Sequence, residues 1–232
     1  MVGKAKRIDD AQARYIEYVK GTLDKDISFD GIKVVIDSAH GAAYKVAPLA
    51  LWELGAKVIS IGDSPNGKNI NNEYGSTSLG NLKKAVSNHK ADIGIALDGD
   101  ADRIIVIDEM GNIVDGDTLL AIIATEWKKL GKLKKNSVVA TILSNIGLES
   151  YLSQEEMKLF RTNVGDRYVS QFMRENGYNI GGEQSGHIII GDYSTSGDGL
   201  LAAIQILSIM KKSNRKIITL ARLIKIVPQI QR

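Results

Sequence analysis

The segment Leu97-Asp98-Gly99-Asp100-Ala101-Asp102-Arg103 sets three carboxylates at alternating positions, separated by the small residues Gly99 and Ala101. Such side chains converge only where the backbone curls around a common point, and left unneutralised they repel one another. A divalent cation relieves that repulsion. With no cysteine in the chain and no histidine beside the triplet, the donors suit a hard ion, Mg²⁺ or one like it, rather than zinc. Asp98, Asp100 and Asp102 are therefore the candidate metal ligands. Arg103 adds a guanidinium fork next to them, a pairing useful against phosphate.

Two plainer readings compete. A D-x-D-x-D triplet can open a calcium EF-hand, and Glu109 even falls at the twelfth loop position. The sixth position, however, is Arg103 instead of the glycine that the sharp turn requires, and Ile104-Ile105-Val106-Ile107 reads as a buried strand. A solvated acidic turn without metal is the other alternative. The apolar runs 93–97 and 104–107 on either side favour a loop held rigidly at a sheet edge.

A second polar loop, Gly182-Glu183-Gln184-Ser185-Gly186-His187, gathers a carboxylate, an amide, a hydroxyl and an imidazole between glycines. Together they can hydrogen-bond several vicinal hydroxyls, because glutamate accepts while the others donate or accept. A polar hairpin turn explains the same residues, and His187 taken alone reads as a satisfied structural histidine. In Val164-Gly165-Asp166-Arg167-Tyr168-Val169, Asp166 is expected to cap a helix, with Arg167 in a first turn where backbone amides favour an anion. A plain cap beside a surface arginine is the alternative. Asp115-Gly116-Asp117 and Gly197-Asp198-Gly199 read as ordinary helix starts, His40-Gly41 as a turn that shapes the backbone, and His89 as a solvated helix end.

These loops must be carried by regular elements. Apolar spacing predicts a helix over Asp9 to Lys20, then strand Lys33 to Asp37, a helix through Leu54 stopped by Gly55, and strand Val58 to Ile61. A polar loop from Gly62 to Ser78 and a helix to Asn88 lead to the strands flanking the acidic loop. The order then recurs: helix Asp117 to Leu130, strand Val138 to Ile142, helix Gly147 to Ser153 and a strand near Leu159-Phe160. A helix from Asp166 to Glu175, strands Tyr178 to Ile180 and His187 to Ile190, and a long helix from Asp198 to Lys211 complete it. Both halves read β-α-β-α-β-loop-β-α. The expected fold is α/β: two tandem α/β/α units with mixed, mainly parallel sheets. The acidic loop and the Glu183 loop then hold equivalent places and can face one cleft.

The chain has 232 residues, 44% hydrophobic and 25% charged, with a net charge of +3. That composition fits a globular protein with room for two ordinary domains. Its lysine pairs, such as Lys128-Lys129 and Lys211-Lys212, read as solvated helix ends and not as a nucleic-acid surface. No apolar run approaches the roughly 18 residues that span a bilayer. The start from Met1 to Asp10 lacks the apolar segment of a secretory signal, so no membrane partner and a reduced cytoplasm are expected.

In this order, Asp98 to Arg103, Val164 to Val169 and Gly182 to His187 resemble the motifs of the α-D-phosphohexomutase superfamily. Asn69-Ile70-Asn71, Ala5-Lys6-Arg7-Ile8-Asp9-Asp10 and the Gln184 form of the second loop are most similar to its bacterial phosphoglucosamine mutase branch. The resemblance covers nearly the whole chain. It implies the second and third of four domains: a linking helix over 1–20, an α/β domain with a metal loop over 21–112, an α/β domain with a sugar loop over 113–226, and the start of a linker over 227–232. By the same resemblance, the phosphorylated serine belongs to a first domain and the phosphate clamp to a fourth, so this stretch alone is expected to be inactive. The implied reaction interconverts glucosamine 6-phosphate and glucosamine 1-phosphate through a 1,6-bisphosphate, on the way to UDP-N-acetylglucosamine and the cell wall. A phosphomannomutase or phosphoglucomutase, or a non-catalytic sugar-phosphate-binding module, are the alternatives. Implied roles are Mg²⁺ on Asp98, Asp100 and Asp102, and catalysis by Arg103, Arg167 and His187. Substrate contacts fall to Asp166, Arg167, Gly182, Glu183, Gln184, Ser185, Gly186 and His187. His187 is the expected proton carrier or substrate contact. Asn163 stands where some relatives have lysine, leaving Arg167 as that loop's cation. A phosphosugar is the implied partner, with a homodimer as the compatible assembly.

Overall fold

The computed structural model describes Gly3 and residues 8–229. Ala5, Lys6 and Arg7 of the Ala5-to-Asp10 motif, most of the first seven residues of the 1–20 segment and the end of the 227–232 linker lie outside the described residues.

After helix α1 (Ala11–Lys20), the first half runs β1 (Lys33–Asp37), α2 (Val46–Glu53), β2 (Lys57–Ile61), α3 (Gly80–His89), β3 (Ile93–Leu97), β4 (Ile104–Asp108) and β5 (Ile113–Val114). These strands form one sheet in the order β2-β1-β3-β4-β5, parallel except for β4 and β5. The second half runs α4 (Gly116–Lys129), β6 (Ser137–Thr141), α5 (Ile146–Gln154), β7 (Lys158–Thr162), α6 (Asp166–Asn176), β8 (Ile180–Gly182), β9 (Ile188–Ile190), α7 (Gly199–Ser213) and α8 (Ile217–Ala221). Its sheet, β7-β6-β8-β9, repeats the first without the fifth strand. The expected mixed sheets are present in both halves.

The central strands are near-continuous apolar runs and are buried end to end, as strands covered on both faces must be. Edge strands β2 and β7 each begin with an exposed lysine, which discourages pairing with another chain. Helix α7 is buried from Gly199 through Met210. It packs on α1 and α4 and against β3, β4 and β9, so it lies between the two sheets. The main apolar core consequently runs through both halves, from Ile16, Leu51 and Leu97 to Leu119, Leu152 and Ile204. Smaller cores sit on the outer faces, one between α3 and the first sheet and one between α6 and the second.

Three local expectations need correction, and one short helix was not expected. Ile113–Val114 pairs with β4, which assigns residues 113 and 114 to the first sheet; a two-residue strand is too short for periodicity to reveal. Helix α8, five residues anchored by Ile217 and Leu220, escaped notice for the same reason. Tyr178 precedes β8 and instead stacks on Phe160 and Phe172. Asp166 is the first residue of α6, whose N-cap is Gly165 at φ 124°, a residue with no side chain to cap the helix.

Side chains also fasten the joints. Buried Asp117 accepts from the Asn145 N–H (2.6 Å), while Asn145 caps α5 and exchanges two hydrogen bonds with the backbone of Val227. Tyr15 on α1 donates its hydroxyl to both oxygens of Asp198, the N-cap of α7, at 2.8 and 2.9 Å.

Candidate functional site

The acidic loop is the turn between antiparallel β3 and β4. Ala101 adopts φ 63° and its N–H closes on the Asp98 carbonyl (3.1 Å), while the Arg103 N–H donates to Asp98 Oδ1 (3.1 Å). This curl brings one oxygen from each of Asp98, Asp100 and Asp102 within 4.8 Å of one another. Asp100 is exposed and the other two are half-buried. Burial, reinforced by Asp102 and Asp100, pushes the Asp98 carboxyl up to about 6 against the opposing pull of the Arg103 N–H. Asp102 Oδ1 is buried and has no hydrogen-bond partner among the described residues. Arg103 Nε stands 3.9 Å from both Asp98 Oδ2 and Asp102 Oδ1.

The loop is gripped from several sides. The Ala42 N–H donates to the Gly99 carbonyl (2.8 Å), and a Cβ on Gly41 would lie 2.2 Å from that oxygen, so only glycine fits there. Ile70 and Asn71 press on Gly99 from the long 62–78 segment, which Asp37 holds by accepting from the Gly75 N–H through one oxygen while the other accepts from Ala39 in the turn after β1. His40, at φ 51°, accepts from the Ser64 N–H and packs edge-on to Tyr74, so it shapes this turn as expected.

The second polar loop joins β8 to β9 and meets the first directly. The Ile104 N–H donates to the Gly186 carbonyl (3.0 Å), and Arg103 and His187 form an antiparallel bridge. Glu183 Oε1 accepts from the Gly165 N–H (2.8 Å), Ser185 Oγ lies 3.4 Å from Glu183 Oε2, and Gln184 Nε2 reaches Asp115 Oδ2 (3.3 Å). The Gly116 N–H donates to the Gln184 carbonyl (3.0 Å), with no room for a side chain on Gly116. Beside this junction opens a cleft of about 420 Å³ lined by Arg103, Thr141, Leu143, Val164, Glu183, Gln184 and Ser185. Its size and few convergent polar groups suit a small polar ligand.

The expected residues divide accordingly. Arg103, Glu183, Gln184 and Ser185 share the cleft, with Gly182 and Gly186 shaping their loop. Arg167 does not line it: its guanidinium lies over the Tyr168 ring and donates to the Tyr168 hydroxyl at 2.6 Å. Asp166 is 61% exposed and also stands off the lining. His187 is 3% exposed, its Nδ1 3.1 Å from Asp102 Oδ2 and its Nε2 accepting from the Gly197 N–H at 3.0 Å. Both ring nitrogens are thus engaged within the protein, one on the acidic loop and one on the Gly197 backbone. Sequence reading missed Thr141, Leu143 and Val164 as lining residues. It also missed the Gly197 contact, although paired glycines around Asp198 exceed what a helix cap needs. A Cβ on Gly197 would strike the His187 ring, and one on Gly199 the Arg103 carbonyl.

Comparison with known proteins places these two units. Residues 13–111 match the α/β/α domain II, and residues 115–227 the α/β/α domain III, of the phosphoglucomutase/phosphomannomutase family. The chain is 55% identical over 229 residues to the phosphoglucosamine mutase of Azorhizobium caulinodans, covering 99% of this chain and 51% of that protein. It is also 55% identical over 231 residues to that of Rhizobium etli, covering 100% and 51%. It thus spans about half the length of these relatives. Among solved structures, a phosphoglucomutase/phosphomannomutase family protein from Burkholderia thailandensis superposes with a TM-score of 0.80 at 24% identity, over 91% of this chain and 46% of that one. An Aspergillus fumigatus N-acetylphosphoglucosamine mutase, solved with GlcNAc-6P and magnesium, gives 0.69 at 18% identity over 94% and 53%. At these identities the structural likeness establishes the fold.

Proposed function

This chain belongs to the phosphoglucomutase/phosphomannomutase family as its second and third α/β/α domains, and from that membership we propose that it is the central part of a phosphoglucosamine mutase. The reaction is the interconversion of glucosamine 6-phosphate and glucosamine 1-phosphate in the cytoplasm. The observation that carries this reading is the 55% identity to phosphoglucosamine mutases along essentially the whole chain.

The acidic loop fits a hard cation: three carboxylates converge, one buried oxygen of Asp102 has no hydrogen-bond partner among the described residues, and Asp98 is disfavoured as a bare anion. Asp98, Asp100 and Asp102 would hold Mg²⁺, which when bound neutralises phosphoryl charge during transfer. Arg103 connects the loop to the cleft and offers its guanidinium to a phosphoryl group from the same side. Glu183 is already fixed through Oε1 by Gly165, so its Oε2 and the Ser185 hydroxyl are the groups that read sugar hydroxyls. A cleft recognising hydroxyls serves a sugar that must present either end to the reacting centre, because both orientations offer a similar pattern of oxygens.

The test is a chimera in which this chain replaces the matching central half of the Azorhizobium caulinodans relative. It should interconvert the two glucosamine phosphates. A soluble, Mg²⁺-binding chimera that is inactive on them, or that prefers mannose or glucose phosphates, would refute the assignment.

A further inference from the structure

Deepening the glucosamine reading above, on which it rests, we propose that Gln184 tells a 2-amino sugar from a 2-hydroxy sugar, and that Asp115 is the positioning residue that turns its amide for that task. Asp115 is the N-cap of α4, and its two oxygens divide the work. Oδ1 accepts from the Thr118 N–H (3.0 Å) and the Thr118 hydroxyl (2.8 Å), while Oδ2 accepts from Gln184 Nε2 (3.3 Å). A carboxylate has no hydrogen to donate, so it binds the nitrogen end of an amide and rejects the oxygen end. The amide therefore has one orientation. With Nε2 turned to Asp115, Oε1 is the remaining polar atom of a side chain that lines the cleft, and no donor among the described residues engages it.

The backbone fixes the same residue. The Gly116 N–H donates to the Gln184 carbonyl (3.0 Å), and a Cβ on Gly116 would strike the Glu183 carbonyl, so the start of α4 is pressed against the loop. Gln184 is thus held by main chain and side chain from two consecutive residues of the Asp115-Gly116-Asp117 turn, which is more than a helix start needs. An amide oxygen facing the cleft accepts more strongly from an ammonium than from a hydroxyl, because the donor is charged. An amide nitrogen in the same place would meet the ammonium donor to donor, yet could still donate to a hydroxyl. Glu183 adds an acceptor on the same loop, and Arg103, the cation of the lining, is left to the phosphoryl group.

D115N separates these requirements. Asparagine keeps an oxygen for Thr118 and remains a good N-cap. Its amide nitrogen, however, replaces Oδ2 and needs an acceptor, which Gln184 supplies only by turning Oε1 away from the cleft. The experiment compares glucosamine 6-phosphate with glucose 6-phosphate as substrates of the chimera described above, follows product by phosphorus NMR, and reads the ratio of the two kcat/KM values. The unmodified chimera should favour the amino sugar. D115N should lower that ratio about 5–10-fold, the gap between a charged and a neutral hydrogen-bond donor. Q184L removes the acceptor and should lower the ratio by a similar factor, and adding D115N to Q184L should change it no further. Melting of the 232-residue chain with each substitution checks the fold, and Q184L carries the test should D115N fail to fold. An unaltered ratio in Q184L, or a further equal drop when D115N is added to it, would overturn the proposal and leave the assigned reaction standing. A chimera inactive on glucosamine 6-phosphate would overturn that assignment and the proposal with it.

Discussion

Asp117 should make this protein less stable as pH rises from about 4 to about 6. Its side chain is fully buried at the start of α4, one oxygen accepts from the Asn145 N–H, and the other, Oδ1, has no partner among the described residues. Burial, with the Asp115 charge adding, pushes its carboxyl from 3.8 up to about 6. Between those values the folded chain keeps a proton that the unfolded chain has released. Unfolding therefore liberates a proton, and stability falls as pH climbs through the window and stays low above it. A shift of about two pH units corresponds to about 3 kcal/mol at most. Asp117→Asn retains an oxygen for the Asn145 N–H and removes the charge, while its new amide hydrogens need a partner of their own. The net gain at pH 7 should therefore be about 1–2 kcal/mol, after a cost of roughly 1 kcal/mol for the imperfectly paired amide. Urea unfolding of both proteins at half-unit steps from pH 4 to 8 measures the difference curve. A difference that is flat across pH 4 to 6 would refute the assignment of this slope to Asp117.

Asp100→Ala should abolish the Mg²⁺-induced rise in melting temperature and leave the metal-free protein at least as stable, because Asp100 is exposed and only repels its neighbours when no ion is bound; thermal melts with and without millimolar MgCl₂ decide it. Gly186→Ala should cost about 3 kcal/mol in urea unfolding, since φ is 97° and the new methyl would lie 2.1 Å from the Ile104 carbonyl that faces the junction. Tyr15→Phe should cost about 2 kcal/mol in the same assay by stripping the half-buried Asp198 carboxylate of its hydroxyl donor.

The sequence by itself determined the repeated α/β order, the acidic loop and the second polar loop, because each is a local pattern. Alternating aspartates between apolar strands require a turn there, and apolar runs such as 93–97 and 104–107 require burial whatever surrounds them. The long helix from Asp198 to Lys211 was likewise legible, though not that it would be buried or what would bury it. Only the tertiary structure decided that α7 would fill the space between two sheets and merge their cores. It also decided that Tyr15 would meet Asp198, 183 positions away, and that His187 would turn inward to Asp102, 85 positions away. Arg167 illustrates the same limit: its place at a helix start was legible, but only packing laid it over Tyr168 and away from the cleft. The physical reason is that side-chain periodicity records which face an element buries, and nothing in it records the partner. The equivalence of the two loops was predictable from the repeat, but the hydrogen bond joining Ile104 to Gly186 exists because glycines at 116, 186, 197 and 199 let two backbones approach more closely than any side chain would allow.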